Sequence, residues 1–201
     1  MKAILLAILG AAALPGCALL GKSDPVVSRY FTLEYDGGAA AARAPAGLQL
    51  RLGRVEGWSH LRERMVARNA AREFSYSENR RWTERPEIFL RRALARTLFE
   101  ERGVVEALSG RAVTLDVELI AFEEIEQPHQ VRLQAGLVLR DDRTSLLQET
   151  ITVERPVAPS AGSDDAPAVV EAFSQALRAG VSQIADRVVA KLAAPPSPAS
   201  R

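Results

Sequence analysis

Residues 113–139 read VTLDVELIAFEEIEQPHQVRLQAGLVL, and residues 145–155 continue with SLLQETITVER. In an extended chain Val113, Leu115, Val117, Leu119 and Ala121 point one way, and Thr114, Asp116 and Glu118 point the other. After Gln127-Pro128-His129 the scheme repeats, with Val131, Leu133, Ala135, Leu137 and Leu139 set against Arg132, Gln134 and Arg140. Asp141-Asp142-Arg143-Thr144 has turn chemistry, and a third run sets Leu147, Ile151 and Val153 against Gln148, Thr150 and Thr152. Period-two alternation with short links predicts an antiparallel meander that is buried on one face and wet on the other. The buried face has to be covered, and that requirement decides the fold.

Two amphipathic helices are available as cover. Thr83 is the expected cap of the first and Pro86 fits its first turn, where a missing N–H costs nothing. Leu90, Leu94 and Leu98 repeat every four residues with Phe89 and Ala93 beside them, while Arg91, Arg92 and Arg96 spread over other faces. Gly103 is placed to end this helix, about 17 residues long, as a left-handed cap. Ser163-Asp164-Asp165 puts capping oxygens ahead of Pro167 in the last helix, whose stripe is Phe173, Leu177, Val181, Ile184, Val188 and Leu192.

Upstream, Ser28–Tyr35 has the composition of a strand, and Asp36-Gly37-Gly38 ends it. Residues 39–47 form a low-complexity connection, and Leu48, Leu50 and Leu52 alternate as a second strand. Extended pieces at 64–68 and 72–77 predict a hairpin, with Phe74 and Tyr76 on one face. The order β-β-(ββ)-α-β-β-β-α predicts an α+β fold: one domain with a largely antiparallel sheet and two helices packed on one face.

The N-terminus carries a different message. Met1-Lys2 is a basic start, residues 3–13 are apolar, and Leu14-Pro15-Gly16-Cys17 has the layout of a bacterial lipobox ending in the chain's single cysteine. An apolar run this short does not cross a ~30 Å hydrocarbon core as a helix. The expected organisation is a lipoprotein signal peptide at 1–16, a lipidated tether at 17–27, a globular domain at 28–192 and a disordered Pro-rich tail at 193–201. Cys17 is the expected lipid attachment site, through a covalent diacylglycerol and an N-acyl chain. No other cofactor is expected, and no cysteine is left for a disulfide.

With 47% hydrophobic and 25% charged residues and a net charge of +1, the chain has no basic excess suited to nucleic acid. Charge is nevertheless uneven. Residues 51–97 hold twelve arginines against six acids, and residues 112–171 hold twelve acids against four arginines. Such a dipole orients a domain toward an anionic membrane or an acidic partner, unless the charges are simply solvated faces. His60 and His129 are the only histidines, and neither has a carboxylate or thiol at metal-ligand spacing. Both read as surface residues, and Glu123, Glu124 and Glu126 read as a charged strand end. Neither a Gly-rich phosphate loop nor a nucleophile elbow is present, so no catalytic residue, no metal site and no enzymatic activity are assigned.

Residues 75–86 (SYSENRRWTERP) exceed what composition explains. Tyr76, Arg80, Arg81, Trp82 and Arg85 gather just before a helix, and aromatic residues and arginines are enriched in binding hot spots. They form the candidate partner surface. The alternative reading tucks Trp82 under the first helix.

Taken with the lipobox, the early strand Arg29-Tyr30-Phe31-Thr32-Leu33, the stretch Tyr76–Arg92, the meander through Val131–Ala135 and the closing helix, the chain resembles the auxiliary lipoproteins of ABC-type intermembrane lipid transport systems. Arg81-Trp82 and Pro86 match the family's helix opening, while Thr83-Glu84-Arg85 departs from its usual Ala-Glu-Pro. The resemblance implies a non-catalytic, periplasm-facing outer-membrane lipoprotein. Its partner would be an MCE-domain protein of an ABC lipid transporter, and its fold would be related to the N-terminal domain of the Tol-system β-propeller protein. An envelope-assembly lipoprotein, acting on cell-wall synthase or lipopolysaccharide assembly, is the alternative. A periplasmic lipid-binding carrier is a third reading.

Overall fold

A computed structural model describes residues 26–35, 43–160 and 162–194. The lipobox Leu14, Pro15, Gly16 and Cys17, the connection at 36–42 and the tail at 195–201 lie outside the described residues. The elements run β1 (Arg29–Phe31), β2 (Gln49–Gly57), β3 (Arg64–Arg68), β4 (Phe74–Trp82), α1 (Pro86–Ala95), β5 (Val105–Glu106), β6 (Thr114–Ile125), β7 (Gln130–Arg140), β8 (Ser145–Pro156) and α2 (Ala166–Ala193).

All eight strands join one sheet, with two helices covering one of its faces. The α+β reading is the observed fold. The meander β6-β7-β8 is antiparallel as its alternation requires, and Leu133 of β7 pairs with Phe122 on one side and Val153 on the other. On its other side β6 takes two strands end to end, and both are parallel to it. Residues 51–57 of β2 lie along 114–119, and residues 66–68 of β3 lie along 123–125. The hairpin β3-β4 continues outward from there, and β1 adds in parallel beside β4.

One face of β6 changes partway along. The β6/β7 register shifts between Leu119 and Ala121, so Phe122 rather than Ala121 joins Leu115, Val117 and Leu119 beneath the helices. The expectation for Ala121 is corrected by that bulge, because one extra residue reverses the alternation beyond it. Beyond the bulge Glu124 points to the helix side, while Glu123 pairs with Arg132 on the opposite face. A second bulge falls in β2 between Leu52 and Val55. There a Cβ on Gly53 would collide with the Asp116 carboxylate, which accepts from the Arg54 N–H at 2.8 Å.

The core lies between this face and the helices. Trp82, Phe89, Phe122 and Phe173 pack ring to ring at its centre, alongside Leu90, Leu94, Leu98, Leu133, Leu177, Val181 and Ile184, all buried. Thr83 does not cap α1. Arg85 occupies the cap position without a side-chain hydrogen bond, and the Thr83 N–H donates to the Phe31 carbonyl, extending the β1/β4 pairing. After Ala95 the helix widens into a π-helical turn at Arg96–Glu101, and Gly103 then takes φ 71°, the left-handed conformation expected of it. Arg102, just before it, is 3% exposed and reaches Ser182 (3.0 Å) and Asp186 (2.7 Å) on α2.

Candidate docking surface

β4 and the turn into α1 distribute the five candidate partner residues over several environments. Trp82 is 1% exposed, with its ring centroid 5.1 Å from Phe173, 5.5 Å from Phe122 and 6.0 Å from Phe89. Its assignment to a partner surface is therefore corrected: β1 covers the end of β4, and α1 begins four residues later, which turns the indole inward. Tyr76 stays exposed, with the Arg64 guanidinium 5.6 Å from its ring. Arg81 is half-buried and donates from Nε to Ser28 Oγ at 3.2 Å, and Arg85 is ion-paired with Glu87 at 2.6 Å.

Arg80 has a structural role. Its guanidinium bonds Asp165 and lies 3.7 Å from Glu124, while His129 Nε2 is 2.7 Å from Glu124 and 3.9 Å from Asp165. Next to it Arg29 pairs with Asp164 at 2.9 Å, and this bond leads the causes that hold the Asp164 carboxyl below the usual range. Asp164 Oδ1 also accepts from the Ala166 N–H, serving the capping role at the start of α2 while Asp165 turns to Arg80. The fold thus gives His129 two carboxylate neighbours that its sequence spacing does not reveal. The ligand atoms of Glu124, His129 and Asp165 lie within 4.8 Å of one another, but the Arg80 guanidinium already supplies the positive charge between the carboxylates.

The opposite face holds a cluster that the sequence reading did not assemble. Glu123 has 0% exposure and accepts from Arg68 Nε and Nη2, each at 3.0 Å, and from Arg132 Nε at 3.0 Å. Near the end of β6, it is a buried carboxylate bridging two arginines. Arg68 stacks on Phe74 at 4.1 Å, Phe74 lies 4.8 Å from the His60 ring, and His60 meets Trp58 edge-on at 6.1 Å. His60 is therefore not a free surface residue: it is half-buried, and its Nε2 is enclosed without a hydrogen-bond partner. Burial pushes its pKa down, and Arg68 pushes the same way against the opposing influence of Glu123. Trp58, Phe74 and Tyr76 remain 46%, 43% and 39% exposed.

Further along the same face, Arg54, Glu56, Asp116, Glu118, Gly136, Gln148 and Thr150 line an open depression of about 340 Å³. Burial pushes Asp116 up, but the Arg54 N–H and Arg140 Nε (2.9 Å) outweigh it and hold the carboxyl below the usual range. The unequal charge halves of the sequence meet at two arginines, Arg68 with Glu123 and Arg80 with Glu124 and Asp165. The other ion pairs of these segments, such as Arg85–Glu87, Arg92–Glu84 and Arg140–Asp116, stay within one half.

Together these features define a single α+β domain whose exposed aromatic and arginine side chains suit it to contact another macromolecule. The chain belongs to the ABC-type transport auxiliary lipoprotein component family, whose profile matches residues 31–185. Among curated proteins none matches the chain significantly. Solved structures share the fold. An uncharacterized protein is 17% identical with TM-score 0.64, covering 81% of this chain and 99% of its own. Protein XCC0632 from Xanthomonas campestris is 17% identical with TM-score 0.61, covering 81% and 96%. The hypothetical protein CT253 from Chlamydia trachomatis is 8% identical with TM-score 0.50, covering 72% and 98%.

Proposed function

We propose that this protein is a non-catalytic outer-membrane lipoprotein that docks the periplasmic conduit of an ABC-type lipid transporter, an MCE-domain protein, to the outer membrane. The family match across residues 31–185 carries this reading, because the family is that of auxiliary lipoproteins in ABC-type transport. Two features support docking over lipid carriage. The space beneath the helices is filled by fully buried side chains, and the depression on the wet face is open and flanked by charged residues. The docking surface is centred on Trp58, Phe74 and Tyr76, with Arg64 over the Tyr76 ring. The membrane attachment is the lipid on Cys17.

Affinity capture of the full-length protein from detergent-solubilised membranes tests the proposal. Co-recovery of an MCE-domain protein is expected, and its loss in Trp58→Ala/Tyr76→Ala places the contact on this face. Recovery of cell-wall synthase or lipopolysaccharide-assembly components without an MCE protein overturns the proposal.

A further inference from the structure

β8 is an open edge. Among the described residues it pairs only with β7, so along its 12 residues the backbone groups that face away from β7 have no strand partner. The other outer strands are short, with three residues in β1 and two in β5, which is how natural sheets keep edges from recruiting strands. β8 is long instead: it contains no lysine, its only proline is the last residue, Pro156, and its charges are of both signs, Glu149 and Glu154 against Arg155. A long edge of this kind is a template for an added strand.

We propose that β8 pairs antiparallel with β8 of a second copy, extending the sheet across a two-fold axis at Thr152. The sequence of the strand is self-complementary in that register. With Thr152 opposite Thr152 of the second copy, Ile151 falls opposite Val153, and Glu149 falls opposite Arg155, twice by symmetry. Residues 149, 151, 153 and 155 share the helix-covered face, as the burial of Ile151 and Val153 shows, so the charged pairs flank an apolar centre. Arg155 donates only to the neighbouring Glu154 carbonyl, and Glu149 lies 3.6 Å from Arg187 of α2, so the second copy's Arg155 would share Glu149 with Arg187. Opposed residues on paired antiparallel strands lie about 4.5–5.5 Å apart between Cα atoms, within disulfide reach.

Cysteine crosslinking of the full-length protein in its membrane tests this. Cys17 is the only native cysteine, so the unsubstituted chain is the control. Under mild oxidation Thr152→Cys should give a species of twice the chain mass, while Gln148→Cys, distant from its own copy in this register, should give little. Adding Glu149→Arg to Thr152→Cys should reduce the dimer several-fold, and adding Arg155→Glu as well should restore it. A folded Thr152→Cys protein that stays monomeric, a Gln148→Cys protein that crosslinks equally well, or an adduct with a different protein each overturns the pairing. None of these outcomes depends on whether the MCE partner is present.

Discussion

Glu123 has no solvent exposure, yet it lies on the sheet face away from the helices, held by Arg68 and Arg132. Removing one partner of a buried ion pair typically costs 3–5 kcal/mol, because the remaining charge stays desolvated. Arg68 and Arg132 keep about a quarter of their side-chain exposure, so water can repay part of that cost. Glu123→Ala should therefore destabilise the domain by roughly 2–3 kcal/mol in urea unfolding, and Glu123→Gln by less, since its amide oxygen still accepts. His60 responds to pH instead. Its folded pKa is depressed, so its contribution is full above the unfolded value of about 6.5 and is lost as pH falls toward the folded value. Thermal unfolding of the native chain should show Tm falling between pH 7 and pH 5, and His60→Phe, which preserves the ring stack on Phe74 and Trp58, should flatten that part of the curve.

At the scale of elements, the meander and both helices are legible because each buries one face with a fixed period. Leu133, Leu137 and Leu139, and Phe173 through Val188, all fall where the alternation and the helical stripe put them. The bulge in β6 is not legible, because Leu119-Ile120-Ala121-Phe122 is apolar throughout and fits either phase of a period-two pattern. Parallel pairing of β2 and β3 with β6 is hidden for a different reason: local pattern states which face of a strand is buried, not which strand lies beside it. The same limit governs the surface. Composition identified residues 75–86, yet Trp82 beside arginines reads alike whether it faces solvent or, as here, the core. Arg68 and Glu123 are 55 positions apart, and Trp58 stands alone in Gly57-Trp58-Ser59-His60, so nothing local joined them to Tyr76.

For the whole molecule, the ion pairs Arg29–Asp164 and Arg80–Asp165, together with the Glu124–His129 contact, bring the start of β1, the start of α2 and the β6-β7 turn to one end of the domain. Val26 and Val27 leave from that end, 59% and 76% exposed, and among the described residues the first to pack on the core are Phe31 and Leu33. The lipid proposed on Cys17 then acts at this end, through residues 18–27, which reach at most ~35 Å. If β8 pairs about its two-fold axis, the anchored ends of the two copies point in opposite directions along the sheet. Both lipids reach one bilayer when the sheet lies along the membrane, leaving one broad face for a partner. Such an anchor contributes to location and not to folding, so Cys17→Ala should separate the two. Its unfolding midpoint should match the native chain within error, because among the described residues no core residue precedes Phe31. If the proposed anchoring and docking hold, the protein should leave the outer-membrane fraction, and MCE capture should fall away in membranes while persisting between purified components. A Cys17→Ala protein that stays in the outer-membrane fraction and supports transport would show that the domain holds the membrane through its own surface, and the lipid at Cys17 would lose its place in the mechanism.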